Sequence, residues 1–194
     1  MSKNIKVFID CEFTDFVNCD LISIGLVSEN GDSFYGENTE FVKAWSSTWV
    51  QENIYHMLSL DALGMTRKEL SLKVWCWLEE LECDTIEIMI DYAADWVLLH
   101  KLFNEDVHPK IKKVTNIFVQ LGIDCDEVIK QQNKNDFDYF ELKGAVRKVF
   151  DDTFVEYFLK TGEVQHHALS DAKANMNAYA AMQELLNFRK VNNV

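Results

Sequence analysis

Proline is almost absent from this chain, a single residue in 194, and no low-complexity tract or internal repeat interrupts it. With 48% hydrophobic and 26% charged residues, a disordered or fibrous chain is excluded. The length fits one domain, residues 1–194, around a sizeable core. No apolar run approaches the roughly 20 residues needed to span a bilayer, so no membrane partner is expected. Met1-Ser2-Lys3-Asn4 leads straight into a strand-like run, without the basic-then-apolar order of a signal peptide. The five cysteines (Cys11, Cys19, Cys76, Cys83, Cys125) are an odd number with no paired spacing. Reduced thiols and a cytoplasmic location are the expectation; a cysteine-held zinc is not.

Positive charge is scarce as well. The formal net charge is −13, and there is no basic stripe of the kind that grips long duplex DNA through its phosphates. The densest basic run, Lys110-Ile111-Lys112-Lys113, reads as a solvated helix face. An acidic chain can still process nucleic acid if metal ions supply the positive charge at the site. It would then favour short or single-stranded ends.

The hydrophobic pattern predicts strands first. Lys6-Val7-Phe8-Ile9 is a short β-rich run ending at Asp10, and Leu21 to Val27 reads as a buried second strand. Asn30-Gly31 marks a hairpin, and Ser33-Phe34-Tyr35-Gly36 begins a third strand, so the chain opens as an antiparallel meander. Residues 45–65 carry Trp45, Trp49, Tyr55 and Met57, expected in the core or in a lid. A turn at Gly64 precedes Thr66, which with Glu69 forms a capping box for a helix through Leu70, Val74, Trp77, Leu78 and Leu81. Thr85 to Ile90 alternates as a fourth strand, and a helix follows from Trp96 to Phe103. Val107-His108-Pro109 is a break, and 111–119 is open between helix and strand. Asp136 or Asp138 is expected to cap a helix through Leu142, Val146 and Val149, with a second helix over 151–160 and a turn at Thr161-Gly162-Glu163. A long helix from Ala168 to about Arg189 should bury Leu169, Ala172, Met176, Tyr179, Ala180 and Leu186. The whole predicts an α/β domain, a mixed sheet with helices on its faces.

Chemistry concentrates at three places. Asp10 and Glu12 stand two apart at a strand end, hence on one face, with Cys11 turned into apolar packing. Two adjacent carboxylates repel unless a cation lies between them. Asp95 begins the helix after the fourth strand; an ordinary first-turn acid is the bland reading, and Asp91 is its competitor. His166 precedes the last helix and Asp171 lies in its first turn. An unshifted imidazole pKa near ~6.5 suits His166 to take a proton from water; His167 is the rival.

Asp10-x-Glu12, then Tyr-Ala-Ala-Asp95, then His166-x-Ala-Leu-x-Asp171-Ala resembles the DEDDh branch of the RNase H-like 3′→5′ exonucleases. Phe8 to Phe13 followed by Leu21 to Val27 is similar to its small bacterial and phage exoribonuclease-like subfamily, whose signature is D-T-E-F then L-I-S-I-G. The motifs span residues 7–175. Cys11 replaces the usual Thr, Asp91-Tyr92 stands where several relatives have His-Asn or Ala-Tyr, and 104–160 carries no motif.

The resemblance implies an RNase H-like fold and a metal-dependent 3′→5′ exonuclease. It would act on single-stranded RNA or DNA 3′ ends, RNA favoured, and release nucleoside 5′-monophosphates. Two Mg²⁺ or Mn²⁺ ions are implied, one held by Asp10, Glu12 and Asp171, the other mainly by Asp10, with Asp95 completing the cluster. Oxygen ligands favour these ions over Zn²⁺. His166 would act as base. Phe13 would stack beside the terminal nucleotide, core packing being its other reading; Trp96 carries the same two readings. A homodimer is expected by analogy with relatives that pair, with Trp45, Trp49, Trp75 and Trp77 as apolar surface. The alternatives are a single-stranded DNA exonuclease and a non-catalytic acidic mimic or scaffold, which the −13 charge motivates.

Overall fold

Strands β1 (Asn4–Phe13), β2 (Leu21–Ser28) and β3 (Ser33–Asn38) form the expected antiparallel meander in the computed structural model, which describes residues 3–132 and 136–192. At the hairpin Gly31 has φ 98°, a left-handed conformation that a side chain would strain. The chain then winds through 3-10 turns at Lys43–Trp45 and Tyr55–Met57 and two short helices, α1 (Thr48–Asn53) and α2 (Leu60–Leu63). Gly64, expected as a turn, belongs to a two-residue strand β4 (Gly64–Met65) that pairs with the end of β3. Thr66 caps α3 (Arg67–Glu80) with the predicted capping box. β5 (Thr85–Ile90) and α4 (Ala93–Leu102) follow as expected.

The stretch left open between helix and strand is both. β6 (Ile111–Asn116) gives way to α5 (Ile117–Gln132), and the Asn116 side-chain oxygen accepts from the Phe118 and Val119 N–H groups to cap the helix. The two helices expected on either side of residue 150 are one helix, α6 (Asp136–Thr161). Arg147–Asp151 and Lys148–Asp152 ion pairs, at i,i+4, stitch the supposed junction. The predicted cap at Asp136 lies outside the described side chains. The last helix is α7 (Ala168–Asn192). Ala180, expected to be buried on it, is exposed; the buried face runs through Ala168, Ala172, Asn175, Ala178, Met182 and Leu186.

The sheet is mixed, in the order β4-β3-β2-β1-β5-β6, with β1–β5 and β5–β6 parallel. Alternation splits its side chains between two layers of helix. Val7, Ile9 and Cys11 of β1 and Ile86, Ile88 and Ile90 of β5 pack on α3 and α4. Phe8 of β1 and Met89 of β5 face α5, α6 and α7 instead. Phe8 and Met89 are also paired across the two strands, and that pairing decides where the acids fall.

Candidate metal centre

Two residues beyond Phe8 on the same face stands Asp10, and two beyond that Glu12; Cys11 between them is 4% exposed in the opposite core. The sequence expectation for this pair holds. Two residues beyond Met89, just past the end of β5, stands Asp91. Neighbouring strands lie about 4.8 Å apart, so extending the Phe8–Met89 pairing by one pleat sets Asp91 beside Asp10. The Asp91 carbonyl accepts from the Asn116 side-chain amide at 2.9 Å, which pins the strand end.

Asp95 enters from the first turn of α4 and is 2% exposed. One carboxylate oxygen accepts from the Cys11 N–H at 3.2 Å, tying α4 to the end of β1. The other is buried without a hydrogen-bond partner.

Asp171 arrives on α7, whose first residues cross the sheet over Gly25. A Cβ on Gly25 would lie 2.2 Å from the Leu169 nitrogen, so only glycine admits the helix at that depth. Gly25 is paired with Asp10, and the crossing therefore delivers Asp171 over the Asp10–Glu12 face. The Asp171 Oδ2 accepts from the His166 N–H at 3.1 Å, and its Oδ1 is buried without a partner.

His166 takes a left-handed backbone conformation, φ 62°, which is uncommon for a side-chain-bearing residue and turns the chain into α7. Its ring stands edge-on to Trp49 with centroids 4.9 Å apart. His167 is held elsewhere, stacked on Tyr35 at 4.3 Å with Ser170 near its Nδ1. Of the two histidines, His166 is the one that faces the acids.

Two donor groups result. Glu12, His166 and Asp171 bring one ligand atom each to within 4.8 Å of one another, and so do Asp10, Asp91 and Asp95. Asp95, the preferred acid of the sequence, and its competitor Asp91 both lie beside Asp10. Among the described residues none of the five carboxylates is ion-paired; the Lys and Arg side chains that form ion pairs do so with other acids. Burial, and then mutual repulsion, pushes Asp10 well above the usual carboxylate range and Glu12 up to about 8. Burial raises Asp95 to about 8 and Asp171 to about 7, each with Asp91 adding repulsion. Asp91 itself is raised by burial, and burial lowers His166. Unpaired, mutually repelling acids, half-buried to buried and with orphaned oxygens, form a site that a cation would stabilise. Their all-oxygen character, with one imidazole, suits a hard divalent ion such as Mg²⁺ or Mn²⁺.

The residues singled out for substrate lie close by and further off. Phe13 is half-buried against the core and meets Phe16 edge-on at 5.3 Å; Phe16 in turn meets Tyr92 at 5.8 Å. Phe16 and Tyr92 are exposed, and the sequence reading gave neither a role. Trp96 packs against the core and stacks on His100.

No family model matches the chain. The 3′-5′ exoribonuclease Rv2179c of Mycobacterium tuberculosis (strain H37Rv) is 30% identical to it over 126 residues, 62% of this chain and 75% of that protein. The 3′-5′ exoribonuclease MT2234.1 of the CDC 1551 / Oshkosh strain matches to the same extent. The chain belongs to the same nuclease family. In a member of that family, two acidic groups with a histidine are consistent with a metal-dependent phosphodiesterase. Among the described residues no helix is long and apolar enough to cross a membrane.

Proposed function

We propose that this chain is a metal-dependent 3′→5′ exonuclease of RNase H-like fold. It removes nucleoside 5′-monophosphates from single-stranded or short nucleic acid, RNA ahead of DNA. The observation that carries the reading is that residues from three distant segments gather at the end of β1, Glu12 with His166 and Asp171 in one donor group and Asp10 with Asp95 in another.

Two Mg²⁺ or Mn²⁺ ions, when bound, supply the positive charge that an attacked phosphate and a departing 3′ oxygen require. The rest falls to the chain. Asp10, Glu12, Asp95 and Asp171 would hold the ions, and among the described residues none of them is ion-paired to a Lys or Arg side chain. His166, exposed at the helix mouth and lowered by burial of its ring, is neutral at pH 7 and takes a proton from the attacking water at an imidazole nitrogen. Trp49, edge-on to the ring, limits where that imidazole swings. Phe13, Phe16 and Tyr92 form an aromatic rim from the end of β1 to the start of α4. A rim of this kind stacks bases without choosing among them. With a chain charge of −13, long duplex is disfavoured and a short single-stranded end is admitted.

The test is a time course on a 5′-labelled single-stranded RNA oligomer and its DNA counterpart, with Mg²⁺, Mn²⁺ or EDTA and a His166→Ala control. The expected result is a ladder shortening from the 3′ end, faster on RNA, abolished by EDTA and by the substitution. A faster DNA ladder would reverse the substrate preference, and no shortening in either metal would overturn the reading.

A further inference from the structure

We infer that Asp91 is a fifth carboxylate of the metal centre, a direct ligand shared with Asp10 and Asp95, held in place by Asn175. The inference rests on the nuclease reading above and adds to it a ligand and its support.

Three observations carry it. First, continuing the β1–β5 register one pleat beyond its last pair, Phe8–Met89, brings Asp91 towards Asp10, and a ligand atom of each, with one from Asp95, falls within 4.8 Å. Like charges brought together from neighbouring strand ends repel, so two ionised carboxylates are held there only when a cation lies between them; without one, a proton must neutralise one of the pair. Second, both partners point an unsatisfied oxygen inward. Asp91 Oδ1 and Asp95 Oδ2 are buried without a hydrogen-bond donor, and Asp95 is 2% exposed.

Third, Asn175 lies on α7 four residues after Asp171 and so on the same helix face. It is 2% exposed and faces the Asp91 carboxylate, whose charged form it favours, while neither of its polar side-chain atoms reaches a hydrogen bond of full geometry within the protein. A buried amide with both ends unsatisfied is rare. Against a metal-bound carboxylate it becomes the outer partner that orients a ligand and fixes its rotamer. Asp171 and Asn175 thus serve the two donor groups from successive turns of one helix. Asp171 contributes to the group with Glu12 and His166, and Asn175 steadies the group with Asp10 and Asp95. Five carboxylates around two divalent ions leave the filled centre at net negative charge, which binds Mn²⁺ tightly and makes the metal-free centre self-repelling.

The experiment is calorimetric titration of the full chain with MnCl₂, wild type beside Asp91→Asn, with thermal melts of both in EDTA. Wild type should take up two Mn²⁺. Asp91→Asn should lose one of them or bind it at least about tenfold more weakly, and its metal-free melting midpoint should hold or rise because a repelling charge is gone. Should Asp91→Asn not fold, Asn175→Ala carries the same test, since it keeps every carboxylate and should weaken the same site about tenfold. Two Mn²⁺ bound at wild-type affinity by the variant would overturn the inference and leave the nuclease reading intact. A wild type that binds no Mn²⁺ would remove both.

Discussion

Asp95 does two jobs with two oxygens. One accepts from the Cys11 N–H and locks the helix to the strand; the other is buried and free for a cation. Asp171 repeats the division, with the His166 N–H on one oxygen and no partner on the other. Each acid is thus aimed by the backbone before any ion arrives, which is what preorganisation of a ligand means physically. Replacing Glu12 by Gln should lower nuclease activity at least about 100-fold, more than an outer-shell change would, in the oligonucleotide assay. Replacing His166 by Ala should lower the turnover rate by about 10² to 10⁴, the range for loss of a general base, and leave Mn²⁺ stoichiometry at two. The positions of Asp10 and Glu12 on one strand face and of Asp171 in the first turn of the last helix were legible in the sequence, because strand period and helix start place them without tertiary knowledge; their proposed roles came from the family resemblance. Asp91 was legible only as a rival to Asp95. Its pairing with Asp10 depends on the register of β1 against β5, which no local pattern states. Asn175 carried no signal beyond its spacing from Asp171, and polar residues at that spacing ordinarily face solvent.

At the scale of elements, the centre is a crossing of α7 over β2. The alanine-rich underside of α7 and Gly25 let helix and strand meet with no side chain between them. Gly25→Ala would put a Cβ into the Leu169 backbone, so it should destabilise the protein by about 1–3 kcal/mol in chemical denaturation. Because it lifts the first turn of α7, it should also weaken Mn²⁺ binding. Thr66→Ala removes a helix cap away from the centre; it should lower stability by about 1 kcal/mol and leave the nuclease rate unchanged. The meander, the capping box, β5 and α4 followed from pattern and turn chemistry. The stretch 111–119 did not, because a strand passing directly into a helix gives one apolar run with no breaker. The continuity of α6 was missed for a related reason: the acids at 151 and 152 look like a fresh cap, but their basic partners four residues earlier keep them inside the helix.

For the molecule as a whole, the centre ties stability to pH and to metal. The carboxyls of Glu12 and Asp95 sit near 8 and that of Asp171 near 7 when folded, far above their unfolded values of about 4. A carboxyl with a raised folded pKa supports the fold while protonated, and that support is lost as pH climbs through the folded value. In EDTA the melting midpoint should therefore fall from pH 5 to pH 8.5, and saturating Mn²⁺ should reverse the fall, since only the deprotonated cluster binds the ion. An acidic scaffold that mimics nucleic acid would carry its charge on solvated faces and show neither effect. The convergence of five part-buried to buried acids on one centre supports the proposed metal-dependent nuclease instead. The most direct check is anomalous diffraction from crystals soaked in MnCl₂. The account predicts two peaks about 3.5–4 Å apart, one between Glu12 and Asp171 and one among Asp10, Asp91 and Asp95. A map with no manganese at these carboxylates would contradict it.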